Sequence, residues 1–170
     1  MTAVLALTGN PRPSSRSHAL ATILASAIAS ELDAAAPAEI DLALLGHRVL
    51  DPDDDLARQA TEQVLAADVL VVASPTYKAT YSGLVKVFLD RLATGPLAGT
   101  AAVPVLLGGA PNHLLAVDVH FTPLLLELGA SVPARGLFVL EAELDEFPAF
   151  AIEWAASHAA HLACPRASVM

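Results

Sequence analysis

Two kinds of hydrophobic pattern alternate along this chain. Residues 69–73 form an unbroken apolar run, typical of a central parallel strand covered on both faces. Residues 4–7 are an apolar run short enough for a buried strand, and residues 101–107 are the predicted fourth strand. Residues 38–42 instead alternate apolar and polar side chains, as an edge strand does, and residues 132–140 complete the predicted strands. Between these runs, apolar residues recur with the i, i+3, i+4, i+7 spacing of helices that bury one face. The pattern therefore predicts strands that alternate with helices.

The same spacing sets the limits of the predicted helices. The first follows the segment 8–17 and has apolar positions at Leu20, Ile23, Leu24, Ala27, Ile28 and Leu32. The next three predicted helices extend from about Leu56 to Ala66, from Leu84 to Leu92 and from Leu114 to Leu128. Gly129 is the glycine expected to end the third of these. The last begins at Pro148, with an inner face of Phe150, Trp154, Ala155, His158 and Leu162. Residues 43–57 are expected to form a loop.

Five strands joined by helical crossovers predict a parallel sheet with helices on both faces. The expected fold class is α/β, a flavodoxin-like three-layer sandwich with a five-stranded parallel sheet in the order 2-1-3-4-5. In such sheets, ligands bind outside the carboxyl ends of the strands, at the switch between strands 1 and 3. The loops after strands 1, 3 and 4 emerge at that edge and form the candidate site. We expect residues 1–170 to form a single domain.

Composition and charge narrow the possible partners. The chain is 55% hydrophobic with a net charge of −9, which argues against a nucleic-acid surface because neutralising phosphates takes a basic face. Its single cysteine, Cys164, excludes an intrachain disulfide, and its histidines share no metal-ligand spacing, so no metal site is expected. Glycines and prolines break the uncharged stretch between Arg91 and Asp118, which argues against a membrane span. No basic segment precedes the first apolar run, so the expected location is the cytoplasm.

An acidic cluster precedes the second predicted helix, at Asp51, Asp53, Asp54 and Asp55. A calcium-binding loop needs a ligand spacing and a turn glycine that this segment lacks. The favoured interpretation is a solvated loop whose carboxylates cap the helix.

The segment 8–17 joins the first strand to the first helix. It contains two arginines and three serines: Arg12, Arg16, Ser14, Ser15 and Ser17. A helix start attracts phosphate through its unpaired N–H groups and positive dipole end, and the arginines and hydroxyl groups add charge and donors. Gly9 allows a sharp turn. The segment is thus a candidate phosphate cradle. The alternative is an ordinary helix, capped by Ser15 or Ser17, behind a solvated basic loop.

The loops after strands 3 and 4 add aromatic side chains, and glycines that a ligand can approach closely, beside this cradle. Their candidate residues are Pro75, Tyr77, Lys78, Tyr81, Gly108, Gly109 and His113. A planar heteroaromatic joined to a monophosphate by a short linker would fill such a space, and FMN has that shape. A tyrosine would stack on its ring, and the backbone near Gly109 would bond its pyrimidine edge. The alternatives are tyrosines that only pack the loop and a His113 that only bonds backbone. Ser82, before Gly83, is better explained as a helix N-cap than as a catalytic serine.

Three motifs resemble those of a known family. They are Gly9-Asn10-Pro11-Arg12 with Ser15-Arg16-Ser17, the run from Pro75 to Lys86, and Gly108-Gly109 with the run from His113 to Asp118. They are similar to the motifs of NADPH-dependent FMN reductases, above all the reductase components of two-component alkanesulfonate monooxygenases. The resemblance implies a flavodoxin-like fold, FMN at the edge between strands 1 and 3, NAD(P)H as hydride donor, and a homodimer or homotetramer.

The resemblance also implies the site residues. The phosphate would be held by Arg12, Ser15 and Ser17, with Arg16 close by. The flavin ring would be lined by Pro75, Thr76, Tyr77, Lys78, Gly108 and Gly109, with Ser82 and Gly83 at the end of the pocket. No general base is required, so no catalytic residue is assigned. The alkanesulfonate-type reductases that this chain resembles carry a tyrosine just after the pair that corresponds to Val117-Asp118, in a helix at a subunit contact. This chain has Val119 and then His120 there.

The implied activity is that of an NAD(P)H:FMN oxidoreductase, which passes a hydride from NADPH to FMN and supplies reduced flavin to a partner monooxygenase. Two other functions remain open at this point. One is an FMN-retaining NAD(P)H quinone or azo reductase. The other is a non-enzymatic flavodoxin-like electron carrier, which would suit the acidic charge.

Overall fold

The computed structural model of the chain describes residues 1–93 and 95–163. Within them, five strands form one sheet: β1 Val4–Thr8, β2 Ala38–Asp41, β3 Val69–Pro75, β4 Ala101–Gly108 and β5 Leu137–Leu140. Every neighbouring pair is parallel, and the order is β2-β1-β3-β4-β5. The predicted flavodoxin-like α/β fold and its strand order are therefore confirmed.

Helices cover both faces of the sheet. They are α1 Arg16–Glu31, α2 Leu42–Leu45, α3 Asp55–Ala66, α4 Gly83–Leu89, α5 Thr122–Glu127 and α6 Phe147–Leu162. One apolar layer lies between the sheet and α1 with α6, and the other between the sheet and α3, α4 and α5. Successive side chains of β1 enter opposite layers, as the two-residue period of a strand requires. None of the helices in the described ranges is long and apolar enough to cross a bilayer.

The buried and exposed strands follow the predicted pattern. Every residue of β1, β3 and β4 is buried, as expected for central parallel strands covered on both faces. In β2, Ala38 and Glu39 are exposed and only Ile40 and Asp41 are buried, which fits its place at the sheet edge. The hydrophobic pattern thus predicted strand position as well as strand existence.

The predicted loop at residues 43–57 is wrong in its first half. The chain forms α2 directly after β2 and then a 3-10 turn at Gly46–Leu50. The reason is local: the side chain of Asp41 accepts a hydrogen bond from the Ala43 N–H and starts the helix, and Leu42 is buried. The second half agrees with the prediction, because α3 begins at Asp55, within one residue of the expected start.

Two predicted elements after β4 are shorter or broken. The expected strand at 132–140 is paired with β4 only over Leu137–Leu140, and the unpaired part contains Pro133, which has no N–H to donate. The expected helix at 114–128 is a π turn at Val117–Phe121 followed by α5. Pro123 cannot donate to the carbonyl of Val119, which interrupts the α-helical pattern. Gly129 ends α5 with φ +86°, as predicted.

Helices α4 and α6 differ from prediction in extent or register. Helix α4 ends at Leu89, three residues before the predicted Leu92, which is still buried. The prediction that Phe150 faces the core is wrong, because its side chain is 43% exposed. The inner face of α6 instead includes Phe147, Ala151 and the expected Trp154.

Candidate functional site

The loop between β1 and α1 is braced by its own side chains. Buried Asn10 accepts a hydrogen bond from the Arg12 N–H at Oδ1 (2.9 Å), and its Nδ2 lies 3.4 Å from the Oγ of Ser17. Ser15 is the N-cap of α1, because its Oγ accepts from the His18 N–H at 3.3 Å. Ser17 is fully buried. It therefore supports the loop from behind, while Ser15 stands at the helix start.

A carboxylate from β2 fixes the turn of this loop. Ser14 has φ +50°, in the left-handed region that L residues rarely adopt. Its N–H donates to Oδ2 of Asp41 at 2.9 Å, while Oδ1 of the same side chain caps α2. Strained backbone of this kind persists only where the surroundings over-determine it, and it clusters at functional sites.

Gly9 is required by packing. Its φ is not in the left-handed region. A Cβ at this position would lie 1.8 Å from Cγ2 of Val85 and 3.1 Å from the Val85 Cα, so any side chain would displace α4. The glycine therefore lets the first loop lie against the start of α4.

Ser82 links the first and second loops. Its Oγ donates to the carbonyl of Gly9 and accepts from the Val85 N–H at 3.3 Å, which makes it the N-cap of α4. Its own N–H donates to Oγ of Ser74 at 2.8 Å. The interpretation of Ser82 as a helix cap is thus confirmed. Gly83 is the first residue of α4 and, like Ser82, does not line the cleft described below.

The loop after β3 makes a tight turn beside the end of β4. The Thr76 N–H donates to the Leu107 carbonyl at 2.7 Å. Tyr77 and Thr80 then exchange backbone hydrogen bonds across a two-residue turn whose central residues, Lys78 and Ala79, have φ of +51° and +64°. This turn fixes the backbone of the loop and leaves the Tyr77 side chain 46% exposed.

The two tyrosines and the two glycines of the site have different surroundings. The Tyr81 ring packs against Phe121 with centroids 5.2 Å apart, so it belongs to the apolar layer. Gly108 packs against Phe138, where a Cβ would lie 2.3 Å from Cζ. A Cβ at Gly109 would meet nothing within 4 Å, so this backbone is open. His113 lies in a 3-10 turn, with Nε2 3.3 Å from the Asn112 amide nitrogen.

One cleft of about 480 Å³ brings the three loops together. Of the residues predicted from sequence, it is lined by Arg12, Ser15, Arg16, Pro75, Thr76, Tyr77 and Gly109. The predicted residues that do not line it are Gly9, Ser17, Lys78, Tyr81, Ser82, Gly83, Gly108 and His113. Ser14, one of the three serines of the candidate cradle, also lines it. The lining residues that the sequence did not predict are Asn10, Pro13, Leu107 and Glu141. The first three are chain neighbours of a predicted residue, whereas Glu141 follows β5 and is brought to the cleft only by the topology.

The charges at the cleft are unevenly paired. Arg16 donates to Oε1 of Glu141 at 2.7 Å, which joins the start of α1 to the end of β5. Among the described residues, the guanidinium of Arg12 has no acidic partner. The first turn of α1 contains no acidic residue either. One arginine and the helix end are therefore available to an anion.

A second cavity, of about 470 Å³, lies between α4 and the 3-10 turn after α2. Arg91 lines it and donates to the carbonyls of Val49, Asp51 and Pro52, so its guanidinium holds the loop in place. The other lining side chains include Val49, Leu50 and Val87. The cavity has no contribution from the loops after β1, β3 or β4, and both terminal nitrogens of the Arg91 guanidinium already donate to the loop carbonyls.

The sequence of the chain is similar to those of known flavin reductases. The chain is 39% identical over 95 residues to an FMN reductase (NADPH) of Escherichia coli, covering 56% of this chain and 50% of that protein. It is 33% identical over 151 residues to the NADH-dependent FMN reductase SfnF of Pseudomonas putida, covering 84% of this chain and 80% of that one. The first of these matches, like one to an FMN reductase (NADPH) of Pseudomonas putida, spans about half the length of the curated relative.

Solved structures of oxidoreductases have the same fold as this chain. The chain superposes on the apo form of the NADH:FMN oxidoreductase EmoB with a TM-score of 0.78 and 29% identity, covering 92% of this chain and 89% of that one. An oxidoreductase from Corynebacterium diphtheriae gives a TM-score of 0.79 at 25% identity, with coverage of 95% and 97%. Residues 2–145 match the sequence profile of the NADPH-dependent FMN reductases. The chain belongs to the NADPH-dependent FMN reductase family.

Proposed function

We propose that this protein is an NAD(P)H-dependent FMN reductase whose flavin binds in the cleft of the three loops. One observation carries the proposal. The same cleft holds two arginines at a helix start and, from the other loops, Thr76, Tyr77 and the open backbone of Gly109. Its volume suits a ligand of small-molecule size.

The cradle end has the donors that a phosphate needs. Arg12 would pair with the phosphate, because it has no acidic partner among the described residues. Ser15 and the start of α1 would add a hydroxyl group and backbone N–H groups. Charge-assisted hydrogen bonds of this kind contribute about 1.5–3 kcal/mol each. The cradle therefore favours an anionic tail over a neutral one.

The other end has room and an unused polar group for a flat ring. The Oγ1 of Thr76 is buried and, among the described residues, has no hydrogen-bond partner. Such an atom costs free energy unless a ligand or water satisfies it. Gly109 is exposed with open space where a side chain would stand, and the exposed Tyr77 side chain is available to pack on a ring face. The residues present thus fit FMN.

The role of the chain is binding and orientation. When bound, FMN supplies the redox chemistry, because its ring accepts a hydride from the nicotinamide. The carboxylate that lines the cleft, that of Glu141, is already paired with Arg16. No lining side chain needs to move a proton, so positioning accounts for the protein's contribution.

The proposal extends to location and partners. We propose that the protein is cytoplasmic and that it supplies reduced flavin to a partner monooxygenase. We also propose a homodimer or homotetramer, supported by an exposed apolar surface of Leu114, Leu115 and Val119 around the π turn. Light scattering of the purified protein measures the oligomeric state.

Anaerobic oxidation of NADPH, with and without added FMN, tests the activity. Colourless protein that oxidises NADPH only when FMN is added would support a reductase that uses flavin as substrate. Desalted protein that stays yellow and turns over quinones would instead show an FMN-retaining quinone reductase. A stable blue semiquinone without NADPH oxidation would show an electron carrier and overturn the proposal.

A further inference from the structure

We propose that Glu141 controls how tightly the cleft holds a phosphate, by competing with that phosphate for Arg16. This inference rests on the proposed function, since it assumes that FMN binds in the cleft. It concerns a carboxylate that comes from the end of β5, outside the three flavin loops, and that nevertheless lines the same cleft.

The two arginines of the cleft differ in whether an acidic side chain is paired with them. One guanidinium nitrogen of Arg16 already donates to a carboxylate at 2.7 Å, so part of its positive charge is neutralised before a phosphate arrives, and its remaining N–H groups are shared between the two anions. Arg12 faces no such competition from the described acidic residues. Arg12 therefore acts as the permanent cation of the cradle and Arg16 as the exchangeable one.

The carboxylate opposes a phosphate in two ways. It occupies Arg16, and its own negative charge repels a second anion in the same cleft. Both side chains of the pair are substantially exposed, at 60% and 43%, so the pair is weak and opens readily. A weak competitor suits a site that releases its flavin, because it lowers affinity without blocking access.

The test compares FMN with riboflavin, which has the same ring but no phosphate. Dissociation constants of both are measured by calorimetry for the wild type, Glu141→Gln and Asp145→Asn. The last is a matched control, since it removes the same charge from an exposed acidic side chain that does not line the cleft. We expect Glu141→Gln to bind FMN about two- to fivefold more tightly, with riboflavin unchanged and Asp145→Asn like the wild type.

A double-mutant cycle with Arg16→Ala identifies the route of the effect. If Glu141 acts through Arg16, the gain from Glu141→Gln shrinks in the Arg16→Ala background. A wild type that prefers FMN to riboflavin, with Glu141→Gln showing no gain or the same gain as Asp145→Asn, would overturn this inference alone. A wild type that does not prefer FMN would overturn the phosphate cradle, and with it both proposals.

Discussion

Two helix starts in this molecule, those of α1 and α3, share a backbone geometry and differ in their charge. Each begins after a residue with extended backbone, and each is capped by a side-chain oxygen that accepts a hydrogen bond from the first turn. At α3 the cap is the carboxylate of Asp54, which accepts from the N–H groups of Leu56 and Ala57, both at 3.0 Å. At α1 the cap is the neutral hydroxyl of Ser15.

The difference shows what makes a helix start a ligand site. The positive end of α3 is already met by the carboxylates of Asp54 and Asp55, and Arg48 pairs with Asp54 at 2.9 Å. The start of α1 has no acid in its first turn. Since every helix has the same dipole, the identity of the cap decides whether an anion from solution is needed. A cleft then has to form around the open helix start.

Ser15→Asp converts the start of α1 into that of α3 and carries the largest expected effect. Aspartate is as good an N-cap as serine, so the melting temperature should change little. Its charge would repel the phosphate, and FMN affinity should fall by roughly 100-fold or more. Fluorescence titration with FMN and a thermal melt measure the two effects. The reverse change at α3, Asp54→Ser, serves as control and should leave FMN binding unaltered. Unchanged FMN affinity in Ser15→Asp would contradict the cradle.

Arg12→Ala tests the unpaired cation and should have the next largest effect. Losing a charge-assisted contact to the phosphate should weaken FMN binding by about 10- to 100-fold. Arg48→Ala removes the same charge at the start of α3, where the arginine pairs with Asp54. It should leave the dissociation constant of FMN unchanged. Equal losses in the two variants would mean that overall charge, not the cradle, governs binding.

The sequence predicted this contrast between the helix starts because its causes are local. The acidic cluster ahead of α3 indicated a capped, solvated loop, and the structure confirms Asp54 as the cap. Ser15 was one of two candidate caps for α1, and the apolar runs placed β1, β3 and β4. Caps and buried strands depend on neighbours a few residues away, so they can be predicted from the chain alone.

The sequence could not predict what depends on distant contacts. Glu141 meets Arg16 across 125 residues, and no local pattern marks it. Gly9 looked like a turn residue, but what requires a glycine there is contact with Val85. Tyr81 was a candidate for the flavin ring, and the structure packs it against Phe121. Such roles are set by tertiary packing, which follows only once the topology is known.

Gly9→Ala tests whether the α1 cradle is held by packing from behind. The added Cβ would collide with Val85, including its backbone, and should destabilise the protein by about 1–3 kcal/mol. Gly83→Ala is the matched control, because a Cβ there meets nothing within 4 Å. It should be neutral or slightly stabilising, since alanine favours a helix. Urea unfolding measures both. Equal effects from the two substitutions would show that the Gly9 contact is not a constraint.

Asp54→Asn carries the smallest expected effect and tests the carboxylate cap at the start of α3. The hydrogen bond from the Ala57 N–H, aided by Arg48, holds the pKa of the Asp54 carboxyl below its ordinary value. A carboxyl with a lowered folded-state pKa contributes stability above the unfolded value, near pH 4, and loses it as the pH falls through the folded value. The wild type should therefore melt slightly above Asp54→Asn at pH 7, and the difference should vanish in acid. Melting curves from pH 7 to pH 2 measure this, with Asp53→Asn as an exposed control that shows no such trend. A difference that stays constant with pH would mean that the carboxylate is not what satisfies the start of α3.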